Sequence, residues 1–212
     1  MASSDYAVYR IPIDSVNANS YFVRRGNEGI IIDAGMPGNV RKICGFLKKC
    51  DLIKVNGIIL THYHVDHAGS AAGLKRATKA PIFIHEEDEP YITGEKEPKH
   101  LDLMPKDMKK AYLKYGAVTV DRKLRDNDSV FGFRVIHLPG HTPGSIALYD
   151  GKSLFSGDSL SVIDGKVQGS FGAYDDDREG MLNGMKKLLE LDYEILLPGH
   201  GSPLENAASG SE

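Results

Sequence analysis

The sequence predicts an α/β fold of two layered β-sheets with helices on their outer faces. Two observations carry this reading. Short apolar runs alternate with segments of helical spacing, and the succession of three strands, a helix, a strand and a helix occurs once in each half of the 212 residues. No composition shift or fixed-period repeat divides the chain, so residues 1–212 read as a single domain.

The first strands are "YAVYRIPI" and "NSYFVRR", joined by "DSVNA", followed by "EGIIIDAGMPGN", a buried strand that ends in a Gly/Pro turn. "NVRKICGFLKKCDL" places Val40, Ile43, Phe46 and Leu47 at helical spacing. "VNGIIL" is another buried strand, "GSAAGLKRAT" a short helix and "APIFIH" a strand. From Glu86 to Lys114 the chain turns charged, holds three prolines and ends in an expected helix over 105–114. This segment reads as an excursion from the core, a lid or a solvated connection. Strands resume with "DRKL", "FGFRVIHL", "SIALYD" and "KSLFSG". The helix "DREGMLNGMKKLLEL" follows, with Met181, Leu182, Met185, Leu188 and Leu189 expected on one buried face. "YEILLPGHG" is the last strand, and the tail 205–212 has the composition of a disordered end.

The totals narrow the function. A net charge of −3 and a pI near 6.2 leave no basic footprint, which argues against a nucleic-acid surface. No apolar segment approaches the roughly 20 residues that span a bilayer. The start of the chain lacks the charged-then-apolar order of a signal peptide, so a soluble, cytoplasmic protein is the expectation. Cys44 and Cys50, on different faces of one expected helix, cannot meet disulfide geometry and read as packing residues.

Chemistry concentrates at strand ends. In "ILTHYHVDHAGS", an apolar strand runs straight into His62, His64, Asp66 and His67. If the strand stays extended, His62 and His64 point the same way, with Asp66 and His67 on the turn beside them. The same form recurs three times. "VIHLPGHTPGS" ends on His141, "LFSGDSL" on Asp158 and "EILLPGHGS" on His200. Each alone is ordinary turn chemistry. Together they are ligand-type residues at four strand ends, a set suited to divalent metal with nitrogen and oxygen preference. His85, His100 and His137 lack this context and read as structural or solvated.

These motifs, "GIIIDAG", "THYHVDH", "PGHTPGS", "FSGD" and "PGHG" in that order, resemble the metallo-β-lactamase superfamily over about residues 19–201. The resemblance implies a four-layer αβ/βα sandwich, two mixed sheets flanked by helices, with two metal ions at one edge. It assigns His62, His64 and His141 to the first ion and Asp66, His67 and His200 to the second, with Asp158 bridging. Asp33 would support a ligand histidine from behind. Zinc is the first expectation, with iron or manganese as alternatives.

The same resemblance implies hydrolysis of a small-molecule substrate. Two cations about 3.5–4 Å apart can share a hydroxide at neutral pH, with Asp66 orienting it and accepting a proton. Asp158 in place of cysteine argues against a β-lactamase role, and His64 against a flavodiiron oxidoreductase. The core is similar to glyoxalase II, a hydroxyacylglutathione thioesterase, but only eleven residues follow Gly201, too few for that family's C-terminal helical domain. Contacts to a thioester would then come from the 86–114 excursion, through Tyr91, His100 and Lys106. A lactonase, with Tyr174 near the site, a phosphodiesterase and a one-iron persulfide dioxygenase are the alternatives. A homodimer is the base-rate expectation for assembly.

Overall fold

The structure, a computed structural model, describes residues 6–13, 18–50, 54–115, 118–169, 172 and 174–205. The connection at 14–17 and the tail beyond Glu205 lie outside the described residues. In the first half, β1 (Ala7–Arg10), β2 (Tyr21–Arg25), β3 (Glu28–Ile32), β4 (Lys54–Ile59), β5 (Ile82–His85) and β6 (Arg122–Leu124) form one sheet in sequence order. β1 to β3 pair antiparallel and β3 to β6 parallel, so the sheet is mixed. In the second half, β7 (Ser129–Val130), β8 (Phe133–His137), β9 (Ile146–Tyr149) and β10 (Ser153–Gly157) belong to a second sheet. β11 (Ser161–Ile163) and β12 (Lys166–Gln168) make a separate hairpin. β13 (Ile195–Pro198) and β14 (Leu204–Glu205) complete the second sheet in the order β14-β13-β10-β9-β8-β7. Its pairing is antiparallel except for the parallel pair β10 and β13.

Alternation along the strands builds the layers, because neighbouring side chains face opposite sides of a sheet. Ile30 and Ile32 meet Phe133, Val135, Ile146, Leu148 and Phe155 in the core between the sheets. Ile31, one residue out of phase, turns away to a second core with Ile58 and Ile82. There it packs against α1 (Val40–Lys49) and α3 (Ala71–Thr78) through Ile43, Leu47 and Leu74. On the far side, Ile136, Leu138, Ala147, Leu154 and Leu196 pack with Leu188 of α6 (Arg178–Leu189). The order is helix, sheet, sheet, helix, which is the four-layer sandwich the resemblance implied.

Three expectations need correction. β4 ends at Ile59, so His62 stands on a bend and His64 at the N-cap of the next helical turn, rather than both on an extended strand. Asp66 and His67 lie in a single helical turn, α2 (Val65–Ala68), rather than an open turn. On α6 only the narrow strip of Met181, Gly184 and Leu188 is buried, whereas Leu182 and Leu189 are exposed. Gly184 faces Leu138 at ordinary contact distance, and Met185 is half-buried beside the strip. Cys44 and Cys50 are free thiols, as expected. Among the described residues no helix is long and apolar enough to cross a membrane.

The excursion contains α4 (Glu89–Ile92), a short 3-10 turn at 101–103 and α5 (Lys106–Tyr115). Its inner side packs on the loop after β4. The Tyr91 ring stacks on Tyr63, centroids 4.6 Å apart, and the Tyr112 hydroxyl accepts the Val65 N–H at 3.2 Å.

Candidate metal centre

Loops from both sheets meet at one edge of the sandwich, held there by backbone bonds. The Ile146 N–H donates to Thr61 O across the sheets at 2.9 Å, and the Asn19 N–H donates to Gly199 O at 2.7 Å. Asn19 Nδ2 also donates to Pro198 O and Gly201 O. The loops after β4, β8, β10 and β13 therefore converge on one volume, although their motifs are spread from residue 62 to residue 200.

The seven residues singled out in the sequence come together there. Nitrogen and oxygen atoms of His62, His64 and His141 lie within 4.8 Å of one another, as do those of Asp66, His67 and His200. Asp158 joins His62 and His67 in a third overlapping group. Asp158 Oδ1 lies 3.1 Å from His67 Nε2, while its Oδ2 lies 3.5 Å from His141 Nε2 and 3.4 Å from His200 Nε2. One carboxylate thus touches both triads.

The donors suit cations. Burial, reinforced by the neighbouring imidazoles, drives the His62 and His64 pKa values well below the usual histidine value, so both rings are neutral with lone pairs available. His62 Nε2 is buried without a hydrogen-bond partner, an arrangement that is costly unless something else satisfies it. Burial alone would raise Asp66 and Asp158, but the His67 charge and the His200 hydrogen bond outweigh it and hold both carboxyls below their ordinary range. Against the effect of burial, Asp158, Asp33 and Asp66 raise His67, and Asp158 and Asp66 raise His200 to about 9, so protons sit on these two rings where a divalent cation could replace them.

Behind the donors stands a set of orienting groups. Asp33, at positive φ of 59°, accepts from the Thr61 N–H and the Thr61 hydroxyl and faces His67 Nδ1, each at 2.8 Å. That contact turns His67 Nε2 inward, the supporting role expected of Asp33. Asp175 does the same for His141, 2.6 Å from its Nδ1. Asp88, fully buried, accepts from the Tyr63 N–H at 2.9 Å, the Thr142 hydroxyl at 2.8 Å and the Gly144 N–H at 2.6 Å. Sequence reasoning missed both Asp175 and Asp88. The run "YDDDREG" offered a signal for Asp175, since three adjacent aspartates before a helix exceed what one N-cap needs. Asp177 alone caps α6, accepting the Glu179 N–H. Asp176 holds Lys99 Nζ at 2.8 Å and His100 Nε2 at 3.2 Å, fastening the excursion.

Other nominated residues lie outside the donor groups. His85 and His137 stack on each other with centroids 3.9 Å apart, and His137 Nε2 donates to Pro143 O. His100 is engaged by Asp176, in keeping with the structural alternative. Tyr91 is stacked on Tyr63, Lys106 is an exposed residue at the start of α5, and Tyr174 is half-buried outside the donor groups.

A four-layer sandwich with clustered histidine and carboxylate donors at its edge is the architecture of a metal-dependent hydrolase. The family model described as Metallo-beta-lactamase superfamily matches residues 13–200. The chain belongs to that superfamily. It is 29% identical to the probable metallo-hydrolase YflN of Bacillus subtilis (strain 168), covering 88% of this chain and 81% of the relative. It is 32% identical to the hydroxyacylglutathione hydrolase GloC of Haemophilus influenzae, covering 81% and 79%. A similar solved structure, a protein in a di-iron-bound form, superposes with a TM-score of 0.72 at 31% identity, covering 93% of this chain and 94% of the other.

Proposed function

We propose that the protein is a dinuclear metal-dependent hydrolase acting on a small ester-like bond, a thioester in the first place. The observation that carries this reading is Asp158, a buried carboxylate whose two oxygens face His67 on one side and His141 and His200 on the other. In this reading His62, His64 and His141 would hold one ion and Asp66, His67 and His200 the other, and Asp158, which faces both groups, would serve both. Zinc is the first choice by ligand type. The di-iron form of the similar structure supports iron as well.

When bound, two divalent ions supply a water acidic enough to ionise near neutral pH, and positive charge for the acyl oxygen as it becomes negative. The chain's own groups do the rest. Asp33 and Asp175 fix the His67 and His141 rings, aiming their Nε2 atoms into the donor cluster. Asp66, whose side chain is 21% exposed against 8% for Asp158, faces the open side of the cluster. It accepts the proton of the attacking water and returns it to the leaving sulfur as the carbon–sulfur bond breaks. Thioester preference is supported by the likeness to hydroxyacylglutathione hydrolase GloC. Contacts to the thiol carrier are assigned to the 86–114 segment, which packs against Tyr63 between two of the donor histidines.

The test is kcat/KM on S-lactoylglutathione with metal-reconstituted protein and an Asp158→Ala control. A value above ~10⁴ M⁻¹s⁻¹, within the range of enzymes on their own substrates, and lost in the control, supports the thioesterase reading. A far lower value with two equivalents of metal bound removes the thioester and directs the assay to lactones and phosphodiesters.

A further inference from the structure

We propose that Asp88 is a positioning residue for the first metal ion, clamping together the two loops that carry His62, His64 and His141. The inference rests on the two-ion reading above. His62 and His64 come from the loop after β4, and His141 from the loop between β8 and β9, in the other sheet. Asp88 stands on a third segment, at the start of the excursion, and binds both loops at once. Its Oδ2 accepts the N–H of Tyr63, the residue between His62 and His64, and also the Thr142 hydroxyl next to His141. Its Oδ1 accepts the Gly144 N–H two residues further on. Gly144 has no room for a side chain, since an added Cβ would lie 2.8 Å from Asp88 Cγ, so glycine is what lets this loop close on the carboxylate.

The clamp sets a distance the ion depends on. His64 Nδ1 and His141 Nε2 are only 2.8 Å apart and must both present lone pairs to one cation. Thr142, adjacent to His141, is tied to the carboxylate that also ties Tyr63, adjacent to His64. Among the described residues Asp88 makes no hydrogen bond to Asp66 or His67 in α2, or to the loop bearing His200. Asp88 thus acts on one ion and spares the other.

The clamp has a chemical requirement as well. Three donors converge on the two oxygens, and only a carboxylate offers acceptors on both sides. Asn at this position turns one of them into a donor facing a donor.

The experiment measures ion affinity by chelator competition in two backgrounds, His200→Ala to isolate the first site and His141→Ala to isolate the second. Adding Asp88→Asn is expected to weaken the ion by about 10–100-fold in the first background and to leave it unchanged in the second. In the metal-free single variant, the amide hydrogens of Tyr63 and Gly144 are expected to exchange faster than in the unaltered protein. Unchanged affinity in the His200→Ala background, or equal weakening in both, overturns the proposal. If Asp88→Asn does not fold, Thr142→Val, which removes one bond to the clamp, is read in its place by the same criteria. If the His200→Ala protein binds no ion at all, the two-ion reading fails, and amide exchange alone decides whether Asp88 clamps the loops.

Discussion

Asp33 Oδ2 and His67 Nδ1 meet at 2.8 Å, joining the end of the third strand to the helical turn that follows the fourth. The same carboxylate takes the Thr61 N–H and hydroxyl, so one side chain sets both the bend after β4 and the ring plane of His67. Asp33→Asn separates this chemistry from backbone strain, because Asn tolerates a positive φ almost as well as Asp. The variant is expected to fold, lose about 1–3 kcal/mol in urea denaturation and weaken one of two ions by about 10–100-fold. Equal affinity for both ions would show that the His67 ring is held by packing alone.

Gly199 is predicted to admit no side chain. A Cβ there lands on Asp158 Oδ1 and 2.8 Å from His67 Cε1, in the middle of the donor cluster. Gly199→Ala is expected to lower metal content below one equivalent by elemental analysis and to lower the melting temperature of the metal-free protein, since the added carbon also lies 2.9 Å from the Gly157 carbonyl oxygen. A variant that still binds two equivalents contradicts the site geometry.

Asp175→Asn leaves the fold intact in this account but frees the His141 ring. Metal affinity at one site is expected to fall by about 10–100-fold. Its neighbour behaves differently. Asp176→Asn releases Lys99 and His100, so KM for a thioester rises while metal content stays at two equivalents. Chelator titration and steady-state kinetics on the pair of variants separate ring orientation from the seating of the excursion.

The pH dependence of metal-free stability contains two opposed contributions. Burial, with the stacked His137 ring, lowers His85 from 6.5 to about 4. The unfolded chain then takes up this proton first, so the His85 contribution is complete above pH 6.5 and is lost as pH falls towards 4. Asp88 runs the other way. Burial raises it from 3.8 to about 7 against the pull of its three donors. Here the folded state holds the proton longer, so its contribution is complete below pH 3.8 and declines as pH rises to 7. His85→Phe is expected to make the urea midpoint fall less steeply from pH 6.5 to 4. An unaltered slope contradicts the assignment to His85.

Much of the site was legible because each motif is a short polar turn directly after an apolar strand. His62, His64, Asp66 and His67 needed no long-range information, and the order of the remaining motifs pointed to a family. Asp88 was not legible, with a partner 25 residues away in sequence, and Asp175, whose partner lies 34 residues away, was signalled only by the surplus of aspartates before α6. Neither follows an apolar run. The layered sheets could be read from strand alternation, as Ile30, Ile31 and Ile32 illustrate, each falling in the core its phase dictates. The α6 face was misjudged because Leu182 and Leu189 share the helical period of the buried strip. Only the packed structure shows how narrow that strip is, with Met181, Gly184 and Leu188 buried and Leu182 and Leu189 exposed. The β11–β12 hairpin, three residues a side with only Ser161 and Val162 buried, carries too little apolar pattern to be seen.

The most direct measurement of the central claim is metal stoichiometry against hydrolytic rate as chelator-stripped protein is reconstituted with zinc, iron or manganese. At least one of these metals is expected to saturate at two equivalents per chain, with hydrolysis rising as the second is filled. Saturation at one equivalent with all donor residues intact, or hydrolysis indifferent to chelation, would contradict it.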